Sequence, residues 1–170
     1  MGISTATTHN SPRFSSEAES AMPDFLTRKE RSALMSRIRS KDTSPERTIR
    51  SMLHVAGYRF RKHLRHLPGT PDIVFTSLKV AVFVDGDFWH GYRFPKWKHK
   101  LSEYWALKIE TNRRRDKRVF ARLRRNGWRV LRLWEHELKK KPKLAFEKII
   151  VCLTTADRVL LPRTRSRNSA

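Results

Sequence analysis

Apolar residues recur at two periods along the chain, and turn residues separate the segments that carry them. Helical spacing predicts four helices, over 27–40, 44–56, 102–126 and about 142–153, with Ser44 as the N-cap of the second. Alternation and short apolar runs predict four strands, over 58–61, 72–76, 79–84 and 128–134. The order of these segments predicts an α/β fold, in which helices flank a central mixed β-sheet.

The two ends of the chain differ from the part between them. Residues 1–24 are rich in serine and threonine and poor in large apolar residues, which is typical of a disordered leader. Residues 156–170 are basic, and we expect a flexible tail there. A chain of 170 residues is long enough for one domain with a real core, so we place that domain at 25–155.

The chain is strongly basic. Lysine and arginine number 38 against 16 aspartate and glutamate residues, a formal net charge of +22, and nearly all of the excess lies within 25–155. Such a field favours a polyanion as partner, because neutralised phosphates release their counterions. A solvated basic surface or an anionic membrane is the alternative, but the aromatic residues interleaved with basic ones between Phe88 and Trp105 favour nucleic acid.

Cysteine usage and hydropathy narrow the location of the protein. Cys152 is the only cysteine and lies in an apolar run, so a disulfide within the chain and a cysteine-rich zinc site are excluded and a core position is expected. No run of about 18 apolar residues is present to span a bilayer, and the first residues lack the apolar region of a signal peptide. We therefore expect no membrane association and a reducing cytoplasm.

The densest polar chemistry lies between Pro68 and His90. Asp72 begins one buried strand and Asp85 ends the next, so a tight turn between neighbouring strands would bring both carboxylates to the same end of the sheet. Adjacent carboxylates repel each other unless a cation lies between them, and Mg²⁺ binds such oxygens together with those of phosphate. In a basic protein this pattern predicts phosphodiester hydrolysis, although an aspartate that only caps a turn is the common alternative for Asp72.

His90 and Asp116 are the candidates for proton transfer. His90 follows Asp85 within five residues and would act as a general base or a general acid, whereas an isolated histidine in a loop more often bonds to the backbone. Asp116 is isolated in a run of arginines, where it would serve as an ion-pair partner or orient His90. His63 has no such neighbours in the sequence, and we expect it to contact phosphate or to be inert.

Two further groups of residues predict contacts with DNA. Phe88 and Trp89 have polar or glycine neighbours, which favours an exposed pair that wedges between base pairs over an ordinary core position. Arg113, Arg114 and Arg115 follow one another in the predicted helix over 102–126, and they form either a solvated face or a clamp for phosphates.

The motifs and their spacing resemble a known family. Leu-Pro-Gly-Thr-Pro-Asp at 67–72, Val-Asp-Gly-Asp-Phe-Trp-His at 84–90 and Gly-Trp-Arg-Val-Leu at 127–131 match, in this order, the very short patch repair (Vsr) endonucleases of the PD-(D/E)XK nuclease superfamily. The resemblance implies a single restriction-endonuclease-like domain and a bacterial, nucleoid-associated enzyme. It also implies Mg²⁺-dependent nicking of one DNA strand beside a T:G mismatch left by deamination of 5-methylcytosine, with mismatch-repair proteins as partners.

The resemblance also implies the roles of individual residues. It places metal ligands at Asp72 and at the main-chain carbonyl of Val84. The expected position of Asp85 at the same end of the sheet as Asp72 makes it a third candidate ligand. The implied catalytic residues are Asp72, His90, Asp116 and Glu46. Together with the arginine run, the expected DNA contacts are Met35, Arg37, Phe88, Trp89, Trp105, Asn112, Arg113 and Arg114.

Two departures from the family change what we expect. Some relatives hold a structural zinc with cysteines and a histidine, whereas this chain has Asp87, Tyr92, Phe94 and His136 at those positions, so structural zinc is not expected. Asp85 stands where some relatives have histidine, which makes the centre resemble an ordinary two-carboxylate nuclease. The alternatives left open are a restriction-type or less specific nuclease of the same fold and a DNA-binding module without catalysis.

Overall fold

The computed structural model of the chain describes residues 41–160 and the isolated positions Lys29 and Ala33, with side chains as far as Ala156 in the last helix. The expected leader, nearly all of the expected first helix and the end of the tail lie outside the described residues. Met35 and Arg37, two of the expected DNA contacts, lie outside them as well.

The described part alternates helices and strands as an α/β fold does. Its elements are α1 (Ser44–Val55), β1 (Ile73–Phe75), β2 (Val80–Asp85), α2 (Glu103–Arg125), β3 (Arg129–Trp134), α3 (Glu135–Lys140) and α4 (Pro142–Leu160), with 3₁₀ turns at Phe94–Lys96 and Lys98–Lys100. The predicted fold class, a mixed sheet flanked by helices, is therefore confirmed.

The sheet has the strand order β1-β2-β3, in which β1 is antiparallel to β2 and β2 is parallel to β3. The predicted strand over 58–61 is wrong, because Arg61 makes only an isolated bridge to Val74. Tyr58 and Phe60 nevertheless pack edge-on against Phe75 of β1, which explains their alternating pattern in the sequence. Apolar alternation here reflects side-chain packing without a ladder of backbone hydrogen bonds.

The start of α1 differs by one residue from the prediction. Thr43, and not Ser44, is the N-cap, and its hydroxyl accepts a hydrogen bond from the backbone N–H of Glu46. The Glu46 carboxylate in turn accepts the backbone N–H of Thr43, which completes a capping box. This box anchors Glu46, whose side chain is almost fully buried, at the first turn of the helix.

Each face of the sheet is covered by helices. Residues of α1 and α4, such as Ile49 and Ile149, pack on one face against Val82 and Leu133. Leu123 of α2 belongs to a second cluster, which covers the other face. The apolar residues of β1 and β2 are therefore nearly all buried, and the polar residue Asp85 ends β2.

The C-terminal part holds more helix than predicted. The last helix extends seven residues beyond the predicted end at about 153, to Leu160, and the short helix α3 was not predicted at all. Cys152 is half-buried in α4 and packs against the core of that face. No helix in the described part of the chain has both the length and the apolar character needed to cross a membrane.

Candidate active site

Asp72 lies immediately before β1 and faces the end of β2. Its backbone N–H donates to the carbonyl of Val82 at 3.0 Å, and its carboxylate Oδ2 accepts the backbone N–H of Val84 at 2.7 Å. These two bonds fix the carboxylate against the neighbouring strand, as the expected tight turn between β1 and β2 requires. The other oxygen, Oδ1, lies 3.7 Å from Nδ1 of His63.

The charge of Asp72 is poorly compensated. Burial, together with the negative charges of Glu46 and Asp85, raises the pKa of this carboxyl to about 7, although the Val84 N–H and the charge of Arg50 oppose the shift. A bound cation would oppose the shift, because it would stabilise the ionised carboxylate. Asp72 is therefore the carboxylate of the site with the strongest need for a positive partner.

Asp85 ends β2 and is buried beside an arginine. Burial raises the pKa of its carboxyl, and the nearby charges of His90 and Arg132 oppose that shift. Oδ2 lies 2.6 Å from Nε of Arg132, an ion pair that lacks hydrogen-bond geometry. Oδ1 lies 3.4 Å from Nε2 of His90. One oxygen of Asp85 thus faces a permanent cation and the other faces the imidazole.

His90 and Asp116 meet across the site, although 26 residues separate them in the chain. The backbone N–H of His90 donates to Gly86, which closes the turn after β2, and Nδ1 lies 2.6 Å from Oδ2 of Asp116 on α2. Burial opposes ionisation of Asp116, yet the hydrogen bond from His90 and the charges of His90 and Arg132 hold the pKa of this carboxyl below its ordinary value. An ionised Asp116 fixes the proton on Nδ1 and leaves Nε2 to exchange protons.

Arg132 is a residue of the site that the sequence reasoning missed. It occupies β3 between Leu131 and Leu133, and its guanidinium reaches both Asp85 and Asp116. The available signal was an arginine between two leucines of a predicted strand, since buried charges need partners. The neighbouring leucines point to the opposite face of the sheet and do not share its polar surroundings.

A second polar group lies on the other side of Asp72. Glu46 accepts hydrogen bonds from the backbone N–H of Asp42 and from Nη1 of Arg50, and His63 Nε2 lies 3.7 Å from Glu46 Oε2. His63, which we expected to contact phosphate or to be inert, lies beside Glu46 and Asp72, because the loop after α1 carries it back to them.

Two triplets in the described part bring three ligand atoms within 4.8 Å of one another: Asp85, His90 and Asp116, and separately Asp42, Glu46 and His63. Each triplet already contains a bound cationic side chain, Arg132 in the first and Arg50 in the second. Asp72 lies near both triplets, each of which has one arginine for two carboxylates, and belongs to neither of them. This arrangement favours Asp72 as the anchor of a metal ion.

The expected DNA wedges are less exposed than predicted. Phe88 and Trp105 are buried, with 8% and 2% of their surfaces exposed, and Trp89 is half-buried. The expectation of an exposed pair is wrong for Phe88, because residues 94–100 fold over it and Trp97 stacks on its ring at 5.7 Å. The role of these aromatic residues in binding DNA stays a prediction.

The expected DNA contacts on α2 have different surroundings. Asn112 donates from Nδ2 to the backbone carbonyl of Trp89 at 2.9 Å, and the guanidinium of Arg113 lies over the ring of Phe94. Both residues therefore hold the loop after β2 in place. Arg114 is largely exposed and pairs only with Glu110, one turn away on the same helix, so it remains accessible to phosphate.

Comparison with known proteins decides the family. The family model described as DNA mismatch endonuclease Vsr matches residues 23–96. The nicking enzyme V.XorIIP of Xanthomonas oryzae is 50% identical over 119 residues, which cover 69% of this chain and 88% of that protein. The chain belongs to the Vsr family of DNA endonucleases.

Further relatives agree with this assignment. The nicking enzyme V.NmeDIP of Neisseria meningitidis is 40% identical over 74% of this chain and 87% of its own length. The DNA mismatch endonuclease Vsr of Escherichia coli K12 is 37% identical over 74% of this chain and 82% of its own length. Among solved structures, the catalytic domain of the homing endonuclease I-Bth0305I has a TM-score of 0.46 and 22% identity, covering 68% of this chain and 98% of that domain.

The positions at which the resemblance led us to look for zinc ligands make other contacts in this chain. Asp87 forms a close ion pair with Nδ1 of His136 and also accepts the backbone N–H of His136 at 3.1 Å. The ring of Tyr92 packs on the His136 ring at 4.4 Å, and Phe94 is buried beside Arg113. This Asp87–His136 pair joins the loop after β2 to the start of α3. The absence of structural zinc stays a prediction.

We expect the His136→Ala variant to lose about 1–2 kcal/mol of unfolding free energy, because Asp87 loses its hydrogen-bond partner. Urea denaturation measures this loss, and His99→Ala, a change of an exposed histidine in the 3₁₀ turn, is the matched control. Elemental analysis of the purified parent should find no stoichiometric zinc. Stoichiometric zinc, or a melting temperature that falls when a zinc chelator is added, would refute this interpretation.

Removing the charge of Asp72 should stabilise the metal-free protein at high pH. The folded-state pKa of about 7 lies above the ordinary value of 3.8, so ionisation costs stability as the pH rises through this range. We expect Asp72→Asn to raise the unfolding free energy at pH 8 by on the order of 3 kcal/mol without divalent ions, and to leave it unchanged at pH 4.

Asp42→Asn is the control for this prediction, because Arg50 holds the pKa of Asp42 below its ordinary value. Its stability should fall slightly at pH 8, opposite in sign to the effect at Asp72. Equal stability of the parent and Asp72→Asn at both pH values would show that the charge of Asp72 is compensated within the protein.

Proposed function

We propose that this protein is a Mg²⁺-dependent endonuclease that nicks one strand of duplex DNA beside a T:G mismatch. The observation that carries the proposal is the position of Asp72, a buried carboxylate that pairs with no arginine or lysine among the described residues and lies close to Asp85, the neighbour of the His90–Asp116 pair. The names of the relatives support the reaction, because they describe nicking enzymes and a DNA mismatch endonuclease.

The charge distribution supports DNA as the substrate. The net charge of +22 favours a polyanion, and exposed arginines such as Arg114 and Arg115 on α2 are available to phosphate. In a bacterial cell we assign the enzyme to the cytoplasm, at the nucleoid, with mismatch-repair proteins as partners.

The donor set at the end of β2 fits Mg²⁺. Asp72 and Asp85 offer carboxylate oxygens and Val84 offers its main-chain carbonyl, and such hard oxygen ligands suit this ion. Asp72 Oδ2 already accepts one N–H, so Oδ1 is the oxygen more available to a cation. When bound, Mg²⁺ lowers the pKa of water and offsets the charge that develops on the phosphate.

The protein side chains would manage the proton. Because Asp116 accepts from Nδ1 of His90, Nε2 is the atom that takes a proton from the attacking water or returns one to the leaving oxygen. Glu46 lies in the neighbouring triplet, and its negative charge acts on Asp72. It would thereby strengthen the attraction of a cation to this metal ligand.

Selectivity for a mismatch would come from the aromatic residues of the loop after β2. Phe88, Trp89 and Trp105 form one packed cluster in the free protein, with ring centroids 4.9 to 5.9 Å apart. Insertion between bases would therefore require this cluster to open, and a mismatched step costs less to unstack than a paired one. Met35 and Arg37 would contribute from the segment before α1.

A less specific nuclease of the same fold is the second candidate. The observation that favours it is Asp85, a second carboxylate next to Asp72, which raises the pKa of the Asp72 carboxyl. Two carboxylates beside each other are sufficient for metal-dependent hydrolysis of a matched duplex.

A nicking assay distinguishes these candidates. We expect the parent with Mg²⁺ to nick the thymine strand of a T:G duplex and to leave the matched T:A duplex of the same sequence intact, over a panel of flanking sequences. Equal cleavage of both duplexes would favour the less specific nuclease. Binding of every duplex without cleavage in any metal would favour a DNA-binding module.

Two variants test the residue assignments in the same assay. Asp72→Ala and His90→Ala should bind the T:G duplex as the parent does but lose nicking by about 100-fold or more. His90→Ala removes the general acid–base group, which alone contributes about that factor, and Asp72→Ala removes the metal ligand. Glu147→Ala, an exposed change on α4 outside the site, is the control. Nicking by Asp72→Ala at the parent rate would refute the metal assignment.

A further inference from the structure

Arg132 contacts both carboxylates of the triplet formed by Asp85, His90 and Asp116. Its Nε is 2.6 Å from Asp85 Oδ2, and its Nη2 donates to Asp116 Oδ2 at 2.9 Å. The same two carboxylates flank His90, with Asp85 Oδ1 3.4 Å from Nε2 and Asp116 Oδ2 2.6 Å from Nδ1. The four side chains therefore form a closed ring, in which the two carboxylates alternate with the guanidinium and the imidazole.

Aromatic rings hold the guanidinium of Arg132 in its place. The guanidinium carbon lies 4.3 Å from the ring centroid of Trp134 and 5.3 Å from that of Phe120. Stacking of this kind suits the planar guanidinium and not an ammonium group, and a planar fork reaches two carboxylates at once. The side chain is about three-quarters buried, so solvent screens these contacts only weakly.

Removing Arg132 would leave two buried carboxylates next to one imidazole. Asp85 and Asp116 repel each other, as the effect of Asp116 on the pKa of Asp85 shows. Without the guanidinium between them, the carboxylates would separate or compete for His90, and the imidazole would lose its fixed hydrogen bond.

We infer that Arg132 is a positioning residue for His90: by bridging Asp85 and Asp116, it sets which ring nitrogen of His90 faces the substrate. The inference rests on the proposed endonuclease function for its kinetic test but not for its spectroscopic test. Arg132 touches neither DNA nor reacting atoms in this role.

The kinetic test compares Arg132→Met and Arg132→Lys with the control Arg129→Met, a change of another arginine on the same strand. At saturating enzyme and Mg²⁺, the single-turnover nicking rate of Arg132→Met should fall about 100-fold, as expected for a misplaced catalytic group. Its affinity for the T:G duplex should not change. Arg132→Lys should nick at an intermediate rate, because an ammonium group replaces the charge but not the fork.

The spectroscopic test uses ¹⁵N NMR of the histidine rings in the free protein, with His90 assigned by its loss in His90→Gln. We expect one tautomer in the parent, protonated on Nδ1, and a mixture in Arg132→Met. If Arg132→Met fails to fold, Arg132→Lys decides in its place. A parent-like rate, or a parent-like tautomer in a folded Arg132 variant, would overturn the inference. If the parent cuts no duplex, the proposed function fails and the tautomer alone decides the role of Arg132.

Discussion

The parallel pairing of β2 with β3 is the constraint on which the site depends. Parallel strands end on the same edge of the sheet, so Asp85 at the end of β2 lies beside Trp134 at the end of β3, with Arg132 two residues earlier. Parallel strands also need a long crossover, and here that crossover contains both the loop of His90 and the helix of Asp116. One connection therefore brings together side chains from four separate segments of the chain.

The charges around this edge are arranged in compensated groups. Burying a carboxylate is costly unless a cation accompanies it, and the chain supplies Arg132 to Asp85 and Asp116, and Arg50 to Asp42 and Glu46. Asp72 lies between the two groups with its pKa raised to about 7. The site is thus most strained electrostatically at the carboxylate that the family resemblance assigns to the metal, and an ion bound there would complete its charge balance.

The local chemistry of the sequence was informative wherever a short-range rule applied. Apolar runs predicted β1, β2 and β3, and the positions of Asp72 and Asp85 at strand ends predicted their approach. Long-range packing decided the rest: Phe88 is flanked by polar residues yet is buried under Trp97, and the strand-like alternation at Tyr58 reflects contact with Phe75. The position of Arg132 between two leucines indicated a buried charge, but its role depends on the two carboxylates that β2 and α2 bring to it.

Anomalous diffraction from crystals soaked in Mn²⁺, which takes the same oxygen ligands as Mg²⁺, tests the central claim most directly. A metal ion should appear at bonding distance from a carboxylate oxygen of Asp72, and it should be missing from crystals of Asp72→Asn. A metal ion held instead by Asp42, Glu46 and His63, with none at Asp72, would contradict the placement of the catalytic centre at the end of β2.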